Sequence, residues 1–368
     1  MVFHVLRGDM IHLSPDIIET VLNTSSTICK SHETKHYFAI TMYGKNALGQ
    51  VFSTDIYTSL FKKNNHSDFC FYRNEREFIK AIVNISSNDR IIFHSNPPGR
   101  GLLIINLFSL IFKKELFKKT TYICWGSDYI FGGKGIKHKL VKYINSKAFS
   151  KYRFVGAISI DDVDEVLSYH KSANVIYAPY MSMRRILKPK IHTFNDNKYV
   201  VMVSHSGWQH NNHFESFNLL KRYVGKVRVV CPLCYGDPKY IDSVIKEGNK
   251  IFGDDFTYFT ELKPIDEYRR FLQSIDIFVS AAEIQTGLGA IGFSMESGSK
   301  IYVQGNLFNS LSSQNYIVHK TQSIKDMTFD QFSQPLTCEE AQFNVDNRNK
   351  ILSDGSSVHQ TWQMIYEL

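Results

Sequence analysis

A short run of small polar residues follows an apolar segment in the second half of the chain. Ser204, His205, Ser206 and Gly207 come directly after the apolar residues 199–203. Where a chain turns from a strand into a helix, backbone N–H groups at the start of the helix can bind an anion. The hydroxyls of Ser204 and Ser206 would add donors, although a plain strand-to-helix turn gives the same pattern. We therefore predict that Ser206 and Gly207 contact a phosphate group.

A glycine-rich turn further along the chain offers a second phosphate contact. Gln285, Gly287, Leu288 and Gly289 open a predicted helix, and together with Gly292 the glycines have the spacing of the dinucleotide fingerprint. That fingerprint follows its strand directly and needs an acid about 20 residues later, and neither condition holds here. A turn that brings a helix N-terminus to a diphosphate therefore explains the pattern better than nicotinamide binding does. A tight contact between a helix and a strand is the remaining alternative.

Titratable side chains follow three predicted strands of the first half. Asp128 comes shortly after Trp125, His94 ends another strand, and Asp9 and His12 follow the first strand. Because the carboxyl ends of parallel strands share one edge of a sheet, we expect these groups to meet there. One of them could take a proton from a hydroxyl group as a general base. A helix cap or a buried structural histidine explains each of them separately, and the sequence does not choose among Asp128, Asp9 and His94.

Three other patterns resemble functional motifs but have simpler explanations. An Asp-x-Asp pair lies where the first turn of a helix favours acids without any metal. Three histidines have no evident fourth ligand for zinc, and a Cys-x-x-Cys pair has no second pair for a structural zinc site. We therefore predict neither a metal nor a cofactor. The residues concerned are Asp162 and Asp164; His205, His210 and His213; and Cys231 with Cys234.

Apolar runs rich in β-branched residues alternate with helical patterns along the whole chain. Most of these runs are apolar on both faces, as parallel strands covered by helices are. Helices are expected after Ile160, with Asp161 as N-cap, from Asp237 and Pro238, from Pro264, and over 356–368. The predicted strands are 2–6, 37–42, 90–94, 121–125, 154–159 and 174–178, then 199–203, 226–230, 256–259, 275–279 and 300–303.

This alternation predicts an α/β protein with two Rossmann-like, doubly wound parallel sheets that face a cleft. The proline-containing segment 179–198 is the expected linker. The predicted domains are 1–180 and 198–345, and the terminal segment 346–368 is expected to pack back on the first domain as a helix. In such sheets ligands bind at the carboxyl ends of the strands, which is where the motifs above lie.

Positive charge is concentrated in one part of the chain. The net charge is +8, and the stretch from Lys113 to Arg153 holds eleven basic residues against Glu115 and Asp128. The apolar run that begins at Leu102 is too short for the about 20 residues that span a bilayer. We therefore expect the region from Leu102 to Arg153 to lie on an anionic membrane surface. A core helix with a solvated end is the alternative, and no nucleic-acid-binding module is evident.

The cysteines and the N-terminus bear on the compartment. The chain has six scattered cysteines, which favours a reducing cytoplasm over a disulfide-bonded secreted protein. The first residues, 1–7, do not form a signal peptide. We therefore expect a soluble or peripheral protein.

An ordered set of short matches extends along nearly the whole chain. In this set the chain resembles the TDP-Fuc4NAc:lipid II Fuc4NAc transferases of glycosyltransferase family 56, which act in enterobacterial common antigen synthesis. The matching residues are His4, Val5, Leu6 and Asp9; Phe93 and His94; Trp125, Gly126 and Asp128; Ser206, Gly207, Asn212 and His213; Pro232 and Tyr235; Glu261, Asp266 and Tyr268; Gln285, Gly287 and Gly289; and Asn306 and Phe308.

The resemblance implies a GT-B fold, a TDP-sugar donor and no metal. It also implies an undecaprenyl-diphosphate-linked acceptor at the cytoplasmic face of the inner membrane, reached by a peripheral protein. The sequence departs from the family at Arg7-Gly8, at Cys231 and Cys234, and in the glycine-rich loop 132–135. These positions lie where sugars would be recognised, so the exact sugars are not transferred. O-antigen synthesis and common antigen synthesis both fit.

The expected roles combine the motifs with the resemblance. The inverting or retaining course stays open, and so do two other classes: an NAD- or thiol-dependent oxidoreductase, and a non-catalytic protein that binds sugar nucleotides or membranes. The residues expected to bind the donor are Ser206, Gly207, Gln285, Gly287, Leu288 and Gly289 at the diphosphate, with Tyr235 and Glu261 at the base and ribose. The expected acceptor contacts are His4, His12 and Trp125, and the candidate bases are Asp128, Asp9 and His94.

Overall fold

Two parallel sheets organise the chain in its computed structural model. The chain divides into unit 1, Met1–Met183 with Asp354–Leu368, and unit 2, Arg184–Ser353. The residues that the structure describes are 1–8, 21–22, 25, 35–43, 54–63, 68–86, 88–125, 129, 135–158, 160–180, 198–284, 286–353 and 355–367.

The sheet of unit 1 contains seven strands among the described residues, and all neighbouring pairs are parallel. Their order is β3-β2-β1-β4-β5-β6-β7, so the sequence order reverses between β1 and β4. The central strands are buried on both faces, which is why their side chains are apolar at nearly every position. The strands are β1 Val2–Arg7, β2 His36–Thr41, β3 Phe69–Tyr72, β4 Arg90–His94, β5 Thr120–Cys124, β6 Phe154–Ala157 and β7 Val175–Tyr177.

Five helices alternate with these strands in the described part of unit 1. Asn74 caps the second of them, because its side chain accepts a hydrogen bond from the backbone N–H of Glu77. A core of aromatic and branched side chains, including Phe78, Phe93 and Phe149, lies between helices and sheet. The helices are α1 Thr54–Lys63, α2 Glu75–Val83, α3 Gly101–Ile111, α4 Ile136–Phe149 and α5 Ile160–Tyr169.

Unit 2 repeats the same arrangement with six strands in its described residues. Their order is β10-β9-β8-β11-β12-β13, again all parallel, and the order reverses between β8 and β11. In both units the first strand therefore lies beside the fourth, as in Rossmann-like sheets. The strands are β8 Tyr199–Val203, β9 Val227–Pro232, β10 Phe256–Phe259, β11 Ile277–Val279, β12 Lys300–Val303 and β13 His319–Lys320.

The helices of unit 2 cover both faces of this sheet with two separate hydrophobic clusters. They are α6 His213–Leu220, α7 Pro238–Phe252, α8 Ile265–Leu272, α9 Leu288–Glu296, α10 Gly305–Ser313, α11 Phe329–Ser333 and α12 Cys338–Ser353. The last helix, α13 Gly355–Tyr366, belongs to unit 1, where Trp362 and Ile365 pack with Val2 and Ile92.

The predicted α/β class is confirmed, and most predicted elements are present. Asp237 caps α7 through the N–H of Tyr240, with Pro238 in the first turn, as predicted. One detail is wrong: α5 begins at Ile160, so Asp161 lies inside the helix and is not its N-cap. The sequence also missed β3 and β13, because the first has four half-buried residues and the second only two. Most of the predicted linker, residues 181–197, lies outside the described residues.

The region expected to lie on a membrane surface includes helices α3 and α4. Among the described residues, no helix is both long and apolar enough to cross a bilayer. The apolar run beginning at Leu102 forms α3, which buries Leu102 and Ile105 but exposes Leu107 and Ile111.

Candidate functional site

The point where the strand order of unit 2 reverses brings two predicted motifs together. β8 and β11 are neighbours there, and the loops that follow them contain Ser206 and Gly287. In open α/β sheets the crevice beside such a reversal is where ligands bind. The two motifs were predicted separately, and only the pairing of β8 with β11 makes them one site.

His205 joins the two loops. Its Nε2 lies 3.2 Å from Oγ of Ser206 and 3.3 Å from Oγ1 of Thr286. Its ring is packed against Gly287, where an added Cβ would lie 2.7 Å from Nδ1. The side chain remains partly exposed at the edge of the sheet. His205 therefore occupies the position between the loops that the sequence assigned to its neighbours.

Ser206 is a buried hydrogen-bonding centre and not a free donor. Its Oγ accepts a 2.9 Å hydrogen bond from Nδ2 of Asn211, and Tyr235, from the loop after β9, lies close enough for Ser206 to lower its pKa against the larger effect of desolvation. Asn211 also donates to the backbone oxygen of Ser206, and Ser204 Oγ donates to the backbone oxygen of Asn211. This network fixes the loop after β8 and holds Ser206 against His205.

Gly207 has a structural role that differs from the predicted one. Its N–H donates a 2.7 Å hydrogen bond to the backbone oxygen of Tyr235, so this N–H does not face an anion. The backbones of Gly207 and Gly236 pair so closely that a Cβ on Gly236 would lie 2.2 Å from Gly207. The helix after this loop starts only at His213, so Ser206 and Gly207 do not lie at its N-terminus. The prediction that this turn leads directly into a helix N-terminus is therefore wrong.

The glycine turn after β11 does open a helix, as predicted. Gly287 is the N-cap of α9 with φ of 73°, a left-handed conformation that favours glycine, and no side chain caps this helix. Leu288 packs its side chain into the hydrophobic cluster, while the space above Gly289 is open. The first N–H groups of α9 therefore start beside His205. Gln285 lies outside the described residues.

Burial keeps the polar side chains of this site uncharged. Desolvation, with a smaller effect of His210, lowers the pKa of His205 to about 4, so its imidazole is neutral near pH 7. Desolvation raises the pKa of Tyr235 to about 12, so its phenol keeps its proton. The groups that surround His205 are thus neutral donors and acceptors, which can bind an anion without attracting a proton.

The predicted contacts Tyr235 and Glu261 lie on neighbouring loops. Cys234, next to Tyr235, donates from Sγ to the backbone oxygen of Glu261 at 3.1 Å. Tyr268 of α8 lies close enough for Tyr235 to raise its pKa, although desolvation is the larger cause. The structure therefore gathers Tyr235, Glu261 and Tyr268 on the side of the site toward β9 and β10.

The competing motifs do not form sites of their own. Cys231 is fully buried in the core, and burial raises its pKa and that of Cys234, to about 11 for the latter, so neither is a ready thiolate. Gly292 lies within α9 against the guanidinium of Arg348 on α12, where a Cβ would be 2.4 Å from it, and so it is a packing glycine. Within the described residues, no group of three or more histidine, cysteine or acidic side chains could hold a metal ion.

The equivalent edge of unit 1 contains a chain of buried histidines. Nδ1 of His4 on β1 lies 2.9 Å from Nε2 of His94 at the end of β4, and its Nε2 lies 2.7 Å from Nδ1 of His36. His94 also contacts the hydroxyl of Tyr180 at 2.7 Å, and that hydroxyl accepts a hydrogen bond from Nε1 of Trp125. His4 and His94 are fully buried. This burial argues against the predicted contact of His4 with an acceptor and against His94 as a base.

Desolvation also argues against His94 as a base, because it lowers the pKa of this buried side chain to about 3. Trp362 of α13 stacks on His94 and Tyr180 and donates to the backbone oxygen of Pro179. The sequence predicts that residues 346–368 return to the first domain as a helix, but it does not indicate that Trp362 lies over His94. The other predicted residues of this edge, Asp128, Asp9 and His12, lie outside the described residues.

The sequence could have indicated His205 more strongly than it did. His205 stands inside the predicted phosphate loop, but as one of three histidines in nine residues it was considered only for a zinc site, which was rejected. His213 is buried beside Tyr240, with a 3.3 Å contact from Nδ1 to the hydroxyl, and has no part in a metal site. Thr286 and Asn211 could not be found by pattern, because their importance comes from contacts across the loops.

A known protein family matches this chain over almost its entire length. Residues 2–354 match the sequence model described as 4-alpha-L-fucosyltransferase, glycosyl transferase group 56. No curated protein sequence matches the chain. The match includes residues of both units and is not limited to one motif.

Solved structures with very different sequences share the fold. HepE from Anabaena in complex with UDP and glucose has a TM-score of 0.66 at 11% identity, covering 99% of this chain and 98% of its own. An alpha,alpha-trehalose-phosphate synthase (UDP-forming) from Burkholderia vietnamiensis has a TM-score of 0.60 at 10% identity, covering 98% of each chain. A glycosyltransferase from Rickettsia africae has a TM-score of 0.58 at 11% identity, covering 99% and 97%. This likeness shows the predicted GT-B fold.

Proposed function

This chain belongs to glycosyltransferase group 56, the 4-alpha-L-fucosyltransferase family, and we propose that it transfers a Fuc4NAc-like deoxyamino sugar from a TDP-sugar to a lipid-linked glycan. The proposed acceptor is an undecaprenyl-diphosphate-linked oligosaccharide, used in O-antigen or common antigen synthesis. The family description supports a fucose-like sugar. The fold shared with HepE, which binds UDP and glucose, supports a nucleoside diphosphate donor.

One observation carries the donor side of this proposal. The loops after β8 and β11 meet at the strand-order reversal of unit 2, with His205 between them and the uncapped N-terminus of α9 beside it. A diphosphate placed there would accept hydrogen bonds from the first N–H groups of α9 and would be stabilised by the helix dipole. Tyr235 and Glu261, on the neighbouring loops, are the proposed contacts of base and ribose.

The same groups would act in the transfer itself. As the bond from the anomeric carbon to the phosphate oxygen breaks, negative charge grows on the departing diphosphate. Fixed N–H donors stabilise such charge without rearranging, and removing one donor of this kind typically slows a reaction by about 10²- to 10³-fold. The acceptor hydroxyl attacks the anomeric carbon and gives its proton to a base. We assign the base to Asp128 or Asp9, and a contact with the acceptor to Trp125.

A thermal-shift panel with TDP, UDP, GDP, CMP and NAD, each with and without magnesium, tests the donor. A ligand that binds the native state raises the melting temperature by mass action, by an amount that grows with its affinity. We expect the largest shift with TDP and no effect of magnesium. A shift with UDP or GDP alone would overturn the assignment of the donor, and no shift with any nucleoside diphosphate would overturn the proposed site.

The membrane part of the proposal rests on two apolar stripes exposed by unit 1. On α4, Ile136, Leu140 and Tyr143 are exposed at spacings of four and three, and Ile136 has 86% of its surface accessible. On α3, Leu107 and Ile111 are exposed four residues apart. The two helices contact each other through a buried 2.9 Å hydrogen bond between Asn106 and Asn145. We call these stripes the α3–α4 face.

Lysines accompany the α3–α4 face. A bilayer with anionic lipids can bind both the exposed apolar side chains and the lysines. The apolar side chains enter the interface, while each lysine near the surface adds about 1 kcal/mol of attraction. This is the surface within the region from Leu102 to Arg153 through which we propose that the enzyme reaches its lipid-linked acceptor. The exposed lysines on α4 and directly after α3 are Lys114, Lys118, Lys137, Lys139, Lys142 and Lys147.

Sedimentation with vesicles of phosphatidylethanolamine and phosphatidylglycerol tests this face. The double variant Ile136→Ser and Leu140→Ser should bind at least about tenfold less, because each apolar side chain contributes roughly 1–2 kcal/mol when buried. Phe343→Ser, which alters an exposed apolar residue of unit 2, is the matched control and should bind as the wild type does. Equal binding by all three proteins, or no binding to anionic vesicles at low salt, would overturn the membrane assignment.

A further inference from the structure

His205 presents its two ring nitrogens to different surroundings. Nε2 faces two hydroxyls, Oγ of Ser206 at 3.2 Å and Oγ1 of Thr286 at 3.3 Å. The ring lies against Gly287, at the start of α9, and among the described residues no side chain or backbone group is hydrogen-bonded to Nδ1. One nitrogen is thus held by the protein, while the other keeps its hydrogen-bonding capacity.

The hydrogen bonds around Ser206 favour one location for the imidazole proton. The Oγ of Ser206 accepts a hydrogen bond from Nδ2 of Asn211, so the hydrogen of this hydroxyl points to another acceptor. Nε2 of His205 lies 3.2 Å away as such an acceptor, and the hydroxyl of Thr286, at 3.3 Å, is a second donor in reach of it. A neutral imidazole that accepts at Nε2 carries its proton at Nδ1.

Gly287 lets the imidazole of His205 pack closely on the start of α9. A Cβ at this residue would lie 2.7 Å from Nδ1, 3.0 Å from Cγ and 3.2 Å from Cε1, so it would meet the face of the ring. His205 and the first backbone N–H groups of α9 therefore lie side by side at this turn. Three or more donors arranged around one point form an anion site, in the manner of an oxyanion hole.

We propose that His205 is a catalytic residue that donates a hydrogen bond from Nδ1 to the diphosphate of the donor and to the departing nucleoside diphosphate, while Ser206, Asn211 and Tyr235 position it. This inference rests on the proposed function. It assigns the diphosphate contact to His205 in place of Ser206 and Gly207, whose polar groups are used within the protein. A neutral imidazole suits this role, because its N–H is available over the whole range above its lowered pKa.

Two isosteric variants distinguish the two nitrogens. The amide nitrogen of asparagine can replace Nδ1 of a histidine, whereas that of glutamine can replace Nε2. We expect His205→Asn to bind TDP within about threefold of the wild type, and His205→Gln and His205→Ala to bind about 10- to 100-fold more weakly, as loss of a hydrogen bond to a charged group predicts. Titration calorimetry with TDP measures this, and melting without ligand shows whether each variant is folded.

The proton itself can be located independently of the variants. Long-range 15N–1H spectra of the histidine-labelled full chain should show His205 protonated at Nδ1, and addition of TDP should shift that nitrogen most strongly. Tight binding by His205→Gln, weak binding by His205→Asn, or a proton at Nε2 would each overturn the proposal. If the wild type binds no nucleoside diphosphate, the proposed function fails, and the spectra still decide which nitrogen carries the proton.

Discussion

Histidine is used in opposite ways at equivalent places of the two units. In unit 2, His205 stands at the strand-order reversal between β8 and β11, partly exposed and held by hydroxyls at one nitrogen. In unit 1, His94 stands at the reversal between β1 and β4 and is fully buried, with His4 at one nitrogen and Tyr180 at the other. A position at the end of a strand beside a sheet reversal is therefore shared by both histidines, and they differ in the hydrogen-bonding capacity that the protein leaves unused.

The cover over each edge explains the difference. In unit 1, α13 places Trp362 over His94, so the histidine chain becomes part of the core. In unit 2, the loop after β8 leaves His205 partly exposed, and Ser206 and Asn211 support it from the buried side. Each unit thus has a polar network at the same edge: the one in unit 1 is covered, and the one in unit 2 is the proposed ligand site.

The largest expected effect is on the covered edge. Trp362→Ala removes a fully buried indole that stacks on His94 and Tyr180, and it should reduce the free energy of unfolding by about 3–5 kcal/mol. Trp208→Ala, which alters an exposed indole of unit 2, should change that free energy by less than about 0.5 kcal/mol. Urea unfolding of both variants measures the contrast, and similar losses for the two would contradict it.

Acid should weaken both units below a common pH. His94 and His213 have pKa values lowered by desolvation to about 3, whereas an unfolded histidine titrates near 6.5. Above pH 6.5 both states are neutral and stability does not change; below it the unfolded chain takes up protons that the folded chain excludes. Each histidine should therefore lower the free energy of unfolding by about 1.4 kcal/mol per pH unit until pH approaches 3.

Urea unfolding at pH 7.5, 6.5 and 5.5 measures this effect. We expect little change over the first interval and a loss of about 1 kcal/mol per buried histidine over the second, because an unfolded imidazole is already half protonated at pH 6.5. His205, whose pKa is lowered to about 4, should contribute a loss similar to those of His94 and His213. The variant His94→Phe, which cannot take up a proton at this position, should lose about 1 kcal/mol less than the wild type. A stability that is constant down to pH 5.5 would mean that these side chains are not held neutral in the folded protein.

The smallest expected change in stability is for a substitution beside His205 in unit 2, and the same substitution should weaken nucleotide binding strongly. Gly287→Ala forces a side chain into φ of 73° and against His205, and should cost about 1–3 kcal/mol of stability. Gly289→Ala has open space around the new Cβ and should leave the melting temperature unchanged or slightly higher. Gly287→Ala should also weaken TDP binding by at least tenfold, and normal binding would show that His205 and the turn are not coupled.

Much of the architecture follows from local patterns in the sequence. Doubly apolar runs such as β1 and β4 predict parallel strands, and Asp237 with Pro238 predicts the start of α7 because the cap and the fixed φ act within one turn. The turns after β8 and β11 were also recognisable, since both depend on residues adjacent in the chain. The edge strands β3 and β13 were not recognisable, because strands of four and two residues are too short to show a periodic pattern of apolar side chains.

The assignment of roles within the site depended on contacts that no local pattern contains. The sequence alone determined that Ser206, Gly207 and Gly287 lie in turns after strands. Only the tertiary structure decided three contacts. Gly207 pairs with Gly236, Ser206 accepts a hydrogen bond from Asn211, and His205 packs against Gly287. The physical reason is that a hydrogen bond to a buried neighbour removes a donor from function, and that neighbour can lie anywhere in the chain, as Trp362 does for His94.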